Sequence, residues 1–196
     1  MRRSPKLPTR SNPLFPLEDF PLLAELQNPA YQHLLINHLP IIGTAMGVVA
    51  IVVGLAVRQR AALLPGLVIL LVAGFSAWPV YETGSAAYKP IRKISDDSGS
   101  DWLDEHMERA DNTVWVFYTM AGFAVLTMTV PRKWPSAGVP LAVASAMAGI
   151  VSTGVAGYIA QPGGLVRHTE FRPSASPADP LKEQTASPDA KPLNGG

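Results

Sequence analysis

Residues 36–60 read INHLPIIGTAMGVVAIVVGLAVRQR. Between His38 and Arg58 no side chain carries a charge, and that length is about the 20 residues a helix needs to cross the hydrocarbon core of a bilayer. Arg58-Gln59-Arg60 ends the run. The same pattern recurs three times, so the chain reads as four spans at 36–57, 61–81, 112–130 and 137–160. A soluble four-helix bundle needs a polar face on each helix, and none of these runs shows one. The expected fold is therefore all-α: an integral membrane four-helix bundle with extended, largely irregular tails.

Composition agrees. The chain has 196 residues, of which 16% are charged, well below the roughly 25% of an ordinary soluble domain. Mean hydropathy is only +0.16 because apolar spans are diluted by polar segments rich in the 19 prolines. Pro40, Pro65, Pro79, Pro131 and Pro140 fall near the expected span ends, where a missing N–H costs least. Residues 1–35 form an N-terminal tail in which Leu17–Leu26 could lie in the membrane interface as a short amphipathic helix. Arg2, Arg3, Lys6 and Arg10 are followed by prolines rather than an apolar run, so no cleaved signal peptide is expected. Residues 161–196 form a Pro-rich C-terminal tail unable to bury enough surface to order itself.

Four spans put both termini and residues 82–111 on one side and two short loops on the other. The short loops hold Arg58, Arg60, Arg132 and Lys133 with no acid; residues 82–111 hold four cations and eight acids. The density of Lys and Arg beside the span ends favours the short loops as cytoplasmic, with both termini outside.

With no cysteine, disulfides, thiolate metal sites and covalent haem are excluded. A net charge of +1 gives no case for nucleic-acid binding. No P-loop, H-E-x-x-H or nucleophile elbow occurs. No Asp, Glu, Lys or Arg lies within a span, which argues against a proton pump or ion carrier. What remains is imidazole. His33, His38, His106 and His168 all fall on one face by the parity of the spans, and imidazole ligates haem iron, copper or zinc. The expected cofactor is b-type haem or a metal held by His38, His106 and His168, with His33 a further candidate. His33 and His38 are five apart, about 140° around a helix, and do not converge on one metal from a regular helix. His38 and His106 top two different spans and are the expected pair. Arg109 and Arg167 lie close enough in sequence to meet haem propionates.

Each feature has a plainer reading beside it. A histidine near a span end is usually an interfacial residue bonded to water or a carbonyl. The run Asp101, Asp104, Glu105, Glu108 reads as a solvated helix face. Gly43, Gly47, Ala50 and Gly54 on the first span, and Ser145, Gly149, Thr153 and Gly157 on the fourth, read as small-residue ridges for close helix packing.

The segment His33-Leu34-Leu35-Ile36-Asn37-His38-Leu39-Pro40-Ile41 resembles the H-P-x-L-V-H-F-P-I opening of a bacterial membrane family, domain of unknown function 2231. Gly154-Val155-Ala156-Gly157, then Gly163-Gly164-Leu165-Val166-Arg167-His168, is similar to that family's T-G-x-x-G-G-x-L-V-Y-R-H-like ending. The likeness spans residues 33–168; Leu34 and Asn37 depart from it, and the gap after Gly157 is longer. The resemblance implies a four-span layout with the histidines as a set. Because family members sometimes occur beside or fused to cytochrome c domains, it also implies redox company. Two functions follow as expectations. One is a small inner-membrane subunit carrying electrons within a larger complex, its partners the lipid bilayer, other membrane subunits and a cytochrome. The other is a cofactor-free accessory subunit that stabilises such a complex. A catalytic activity of its own is the less expected outcome.

Overall fold

The computed structural model describes residues 25–173, 176 and 177. The expected interfacial helix at 17–26 and most of both tails lie outside these residues. Every element found among them is helical: α1 Pro29–Ile36, α2 His38–Val57, α3 Arg60–Ile94, α4 Asp97–Thr113, α5 Trp115–Thr129 and α6 Gly138–Leu165. Short 3-10 turns follow at Val130–Arg132, Pro135–Ala137 and Thr169–Phe171.

Four helical stretches are long and apolar enough to cross a membrane: Pro29–Val57, Arg60–Ile94, Asp97–Arg132 and Pro135–Leu165. The chain is a multi-pass membrane protein. Its helices outrun the expected spans. Residues 82–111 are not an open loop, because α3 continues to Ile94 and α4 leads into α5. Asp96 caps α4, its side chain accepting from the Gly99 N–H at 2.8 Å. Asn37 and Val114 keep right-handed helical dihedrals, so α1–α2 and α4–α5 run on with only a local break. Pro65, Pro79 and Pro90 sit inside α3 rather than at its ends.

The spans form a closed ring: α2 packs on α3, α3 on α5, α5 on α6 and α6 on α2. Outside that ring, α1 lies on α3 and α4 lies on α6. The interior is built from small residues. Ala73, Ala77, Ala121, Ala124, Ala142, Ala146 and Ala156 are buried, while Ile42, Val49, Val53, Val72, Phe75 and Ile150 are exposed. That inversion is what lipid selects: large apolar chains outside cost nothing there, and small ones inside let helices approach. A β-carbon on Gly74 would stand 2.7 Å from the Phe117 carbonyl, and one on Gly66 2.8 Å from the Ile51 nitrogen. On the fourth span Gly149 packs against Val48, but Gly157 faces open space and is not part of the ridge.

Polar groups inside the ring are few and mostly paired. Thr127 Oγ1 lies 2.7 Å from Ser145 Oγ and donates to the Phe123 or Leu141 carbonyl. Trp78 and Trp115 are exposed toward one end of the bundle and Trp134 toward the other, as amphipathic rings at two interfaces would be. Beyond the first end a second small core joins Trp102 and Leu103 of α4 to Leu165 and Val166, with Tyr88 and Ile91 of α3 against it. The histidines lie at this same end.

Candidate functional site: a histidine pair at one end of the bundle

His33 stands on α1 and faces α3. Its Nδ1 lies 2.9 Å from the Val80 carbonyl oxygen. A carbonyl only accepts, so Nδ1 carries the proton and the neutral ring keeps its lone pair on Nε2. The Thr83 hydroxyl also lies 3.1 Å from the Val80 carbonyl oxygen. Gly84 is what lets a ring reach that carbonyl: a β-carbon there would stand 3.0 Å from His33 Cε1 and Nδ1.

The second half of the chain repeats the device. His106 stands on α4 and faces α6, with Nδ1 2.7 Å from the Ile159 carbonyl. Gly163, again four residues past that carbonyl, leaves the room: a β-carbon would stand 3.0 Å from His106 Nδ1. Each half is therefore an outer helix followed by two spans. Its histidine is fastened to the far end of its own second span.

The two devices bring the rings together. The His33 and His106 ring centres are 6.2 Å apart with planes at 80°. Each imidazole is oriented by an Nδ1–H bond to a main-chain carbonyl, the outer interaction that fixes tautomer and direction in metal-bound histidines. Neither Nε2 has a hydrogen-bond partner among the described residues. Asn37, one turn along from His33, has a buried Oδ1 without a partner. Three lone pairs at this end thus lack a donor.

Arg109 binds beside His106. Its Nε contacts Glu105 at 2.6 Å, and its Nη1 donates to the Tyr158 carbonyl at 2.8 Å and to Gln161 Oε1 at 2.9 Å. Pro162 explains the Tyr158 bond. In a regular helix residue 162 would donate to that carbonyl, proline has no N–H to give, and the guanidinium supplies the bond instead. The Arg109 guanidinium carbon also sits 4.2 Å from the Tyr158 ring centre.

The other expected residues stand apart from this pair. His38 is exposed at the start of α2. His168 is exposed past the end of α6, with Nδ1 3.0 Å from Glu170 Oε1 and its ring 5.8 Å from that of Phe171. The Glu170 carboxyl is held below its usual range by main-chain hydrogen bonding and by His168. Arg167 is exposed. The structure thus sets His33, rather than His38, against His106. Three of the four acids in the stripe have partners. Asp104 pairs with Arg92 at 2.9 Å, Glu105 with Arg109, and Asp101 accepts from Ser176. Among the described residues no three or more ligating side chains gather closely enough to hold a metal.

Arg172, nearly buried, ties the same end shut. It donates to the Leu165 and Val166 carbonyls at 2.7 Å and pairs with Asp96 at 2.7 Å. It thereby satisfies the orphan carbonyls at the end of α6 and bridges to the start of α4. Comparison with protein-family models, with curated proteins and with solved structures gave no match.

Proposed function

We propose that the protein is a small subunit of a larger membrane complex, holding a histidine-ligated metal, as haem iron or a bare ion, for electron transfer. His33 and His106 are the ligands. The observation that carries this reading is the twofold use of one device, an imidazole whose Nδ1–H is spent on a span carbonyl beside a glycine notch, with the two ring centres brought to 6.2 Å and their planes near perpendicular. Two tautomers fixed with Nε2 unprotonated are what ligation requires and what simple interfacial histidines do not need. The residues give the site its direction and shield it. Arg109, paired to Glu105, holds α4 against α6 beside His106, and the cap of Trp102, Leu103, Leu165 and Val166 buries apolar surface at the same end.

We place it in a bacterial cytoplasmic membrane with the histidine end outside. Arg58, Arg60, Arg132 and Lys133 at the opposite end support that orientation.

A second reading has one observation in its favour. Each imidazole also bolts an outer helix to a span, α1 to α3 and α4 to α6, a job complete without a cofactor. The test is metal analysis and an absorption spectrum of the full-length protein purified from membranes. The first reading expects a metal or a Soret band near one per chain, lost when His33 or His106 becomes Gln. Folded protein that neither carries nor takes up either one leaves the bolts alone standing.

A further inference from the structure

The pair is specific about what it would hold, and the following rests on the metal-binding reading above. We propose that His33 and His106 bind one monovalent copper ion, two-coordinate, between their Nε2 atoms.

Spacing is the first support. A metal–imidazole bond is about 2.0 Å and Nε2 lies about 1.1 Å from the ring centre, so a straight N–metal–N bridge sets the centres roughly 6 Å apart and a tetrahedral one roughly 5 Å. The observed separation is 6.2 Å. The pair is therefore spaced for a linear bridge.

Ligand number is the second. Zinc takes four ligands, or three with a water, and here two imidazoles stand without a third ligating side chain among the described residues. A closed-shell monovalent copper ion is satisfied by two donors, and imidazole is among the ligands that suit copper.

Charge is the third. The charged groups beside His106 are Arg109 and the Glu105 that neutralises it. Glu105 is spent on Arg109, so beside His106 a single positive charge costs less than two.

Room is the fourth. A haem ligated by both rings needs a flat slot wider than the imidazoles. Two clefts at this end are lined by Tyr88, Asp104, Met107, Glu108, Asp111 and Asn112, and by Lys89, Arg92 and Lys93, and neither lining includes His33 or His106. A β-carbon at Gly84 or Gly163 would already stand 3.0 Å from a ring atom. An ion needs no such slot. The partnerless Asn37 Oδ1 is a neutral acceptor one helical turn along from His33.

The test is anaerobic titration of the purified full-length protein with Cu(I) against a chromophoric chelator, with Zn(II) and hemin titrated in parallel. The expected result is one Cu(I) per chain, with X-ray absorption showing two short bonds to nitrogen and no more. His33→Gln and His106→Gln keep an amide donor for the carbonyls and should each weaken Cu(I) at least about 100-fold. His38→Gln and His168→Gln should leave it within about threefold. If the Gln variants do not fold, the wild-type absorption spectrum decides by itself. A site with three or four ligands, or Cu(I) affinity unmoved by both Gln variants, overturns the proposal. Hemin binding at the pair overturns copper but leaves a histidine-ligated centre standing. Uptake of none of the three removes both.

Discussion

His33 and His106 lie 73 positions apart in the chain, yet their rings meet at 6.2 Å, each tethered through Nδ1 to a carbonyl of a different span. The tethers matter more than the contact. Two free imidazoles at that distance would sample many orientations, whereas two tethered ones present the same nitrogen.

The glycine notches give the first prediction. Gly84→Ala and Gly163→Ala each place a β-carbon about 3 Å from an imidazole atom. Overpacking of that kind costs about 1–3 kcal/mol, against about 1 kcal/mol gained in helix propensity. Each variant should lose up to about 2 kcal/mol in unfolding free energy and release its histidine from the carbonyl. Gly154→Ala, with nothing within 4 Å, should be neutral or slightly stabilising. Reversible denaturant unfolding in micelles measures both.

The polar contact inside the ring gives the second. Thr127 and Ser145 join α5 to α6 at 2.7 Å within the apolar region. Hydrogen bonds between spans average about 0.6 kcal/mol by double-mutant cycle, with a maximum near 1.7. Thr127→Val with Ser145→Ala should give a coupling energy in that range. Coupling near zero would mean the two hydroxyls are satisfied by their own helices alone.

The ring of spans was legible in the sequence because it rests on uninterrupted apolar length, and nothing in lipid competes with that signal. The histidine end was less so. Pro79 falls near an expected span end and Pro162 just past another, yet neither ends its helix: α3 runs through Pro79, and at α6 Arg109 donates to the Tyr158 carbonyl that Pro162 leaves free. The helices therefore continue, and what looked like loop and tail becomes α3, α4 and the end of α6. The parity of the spans put all four histidines at one end without saying which two meet. Spacing along a helix separated His33 from His38 but did not choose between them. The choice lies in Gly84 and Gly163, each four residues past a carbonyl that a histidine uses. That signal is local in the sequence, but it gains meaning only once α1 is known to lie on α3 and α4 on α6.

Arg109 and Pro162 give the third prediction. Arg109→Ala removes bonds to Tyr158, Gln161 and Glu105 and should cost about 1.5–3 kcal/mol, the range for hydrogen bonds involving a charged group. In a Pro162→Ala background the restored N–H satisfies Tyr158 within α6, so the same Arg109→Ala step should cost less. Equal costs in the two backgrounds would show that the proline and the guanidinium are independent.

The clasp at the end of α6 gives a pH dependence. The Arg172 guanidinium, then the Gly99 N–H, hold the Asp96 carboxyl below the usual carboxylate range. A group whose folded-state value is depressed stabilises fully above its unfolded value and stops doing so as pH falls through the folded one. Protection of the Leu165–Arg172 amides from hydrogen exchange, relative to their intrinsic rate at each pH, should therefore be high at neutral pH and fall as the pH drops below the ordinary carboxylate range. Asp96→Asn should exchange faster at neutral pH and lose that acid-side step.

The most direct test of the paired site is imidazole 15N NMR of the histidine-labelled protein, with each ring assigned by substitution. The account predicts that His33 and His106 both carry their proton on Nδ1, and that both Nε2 signals move together when one equivalent of Cu(I) is added while those of His38 and His168 stay put. Protonation of either ring on Nε2 in the neutral form, or a Cu(I) response confined to His38 or His168, would contradict it.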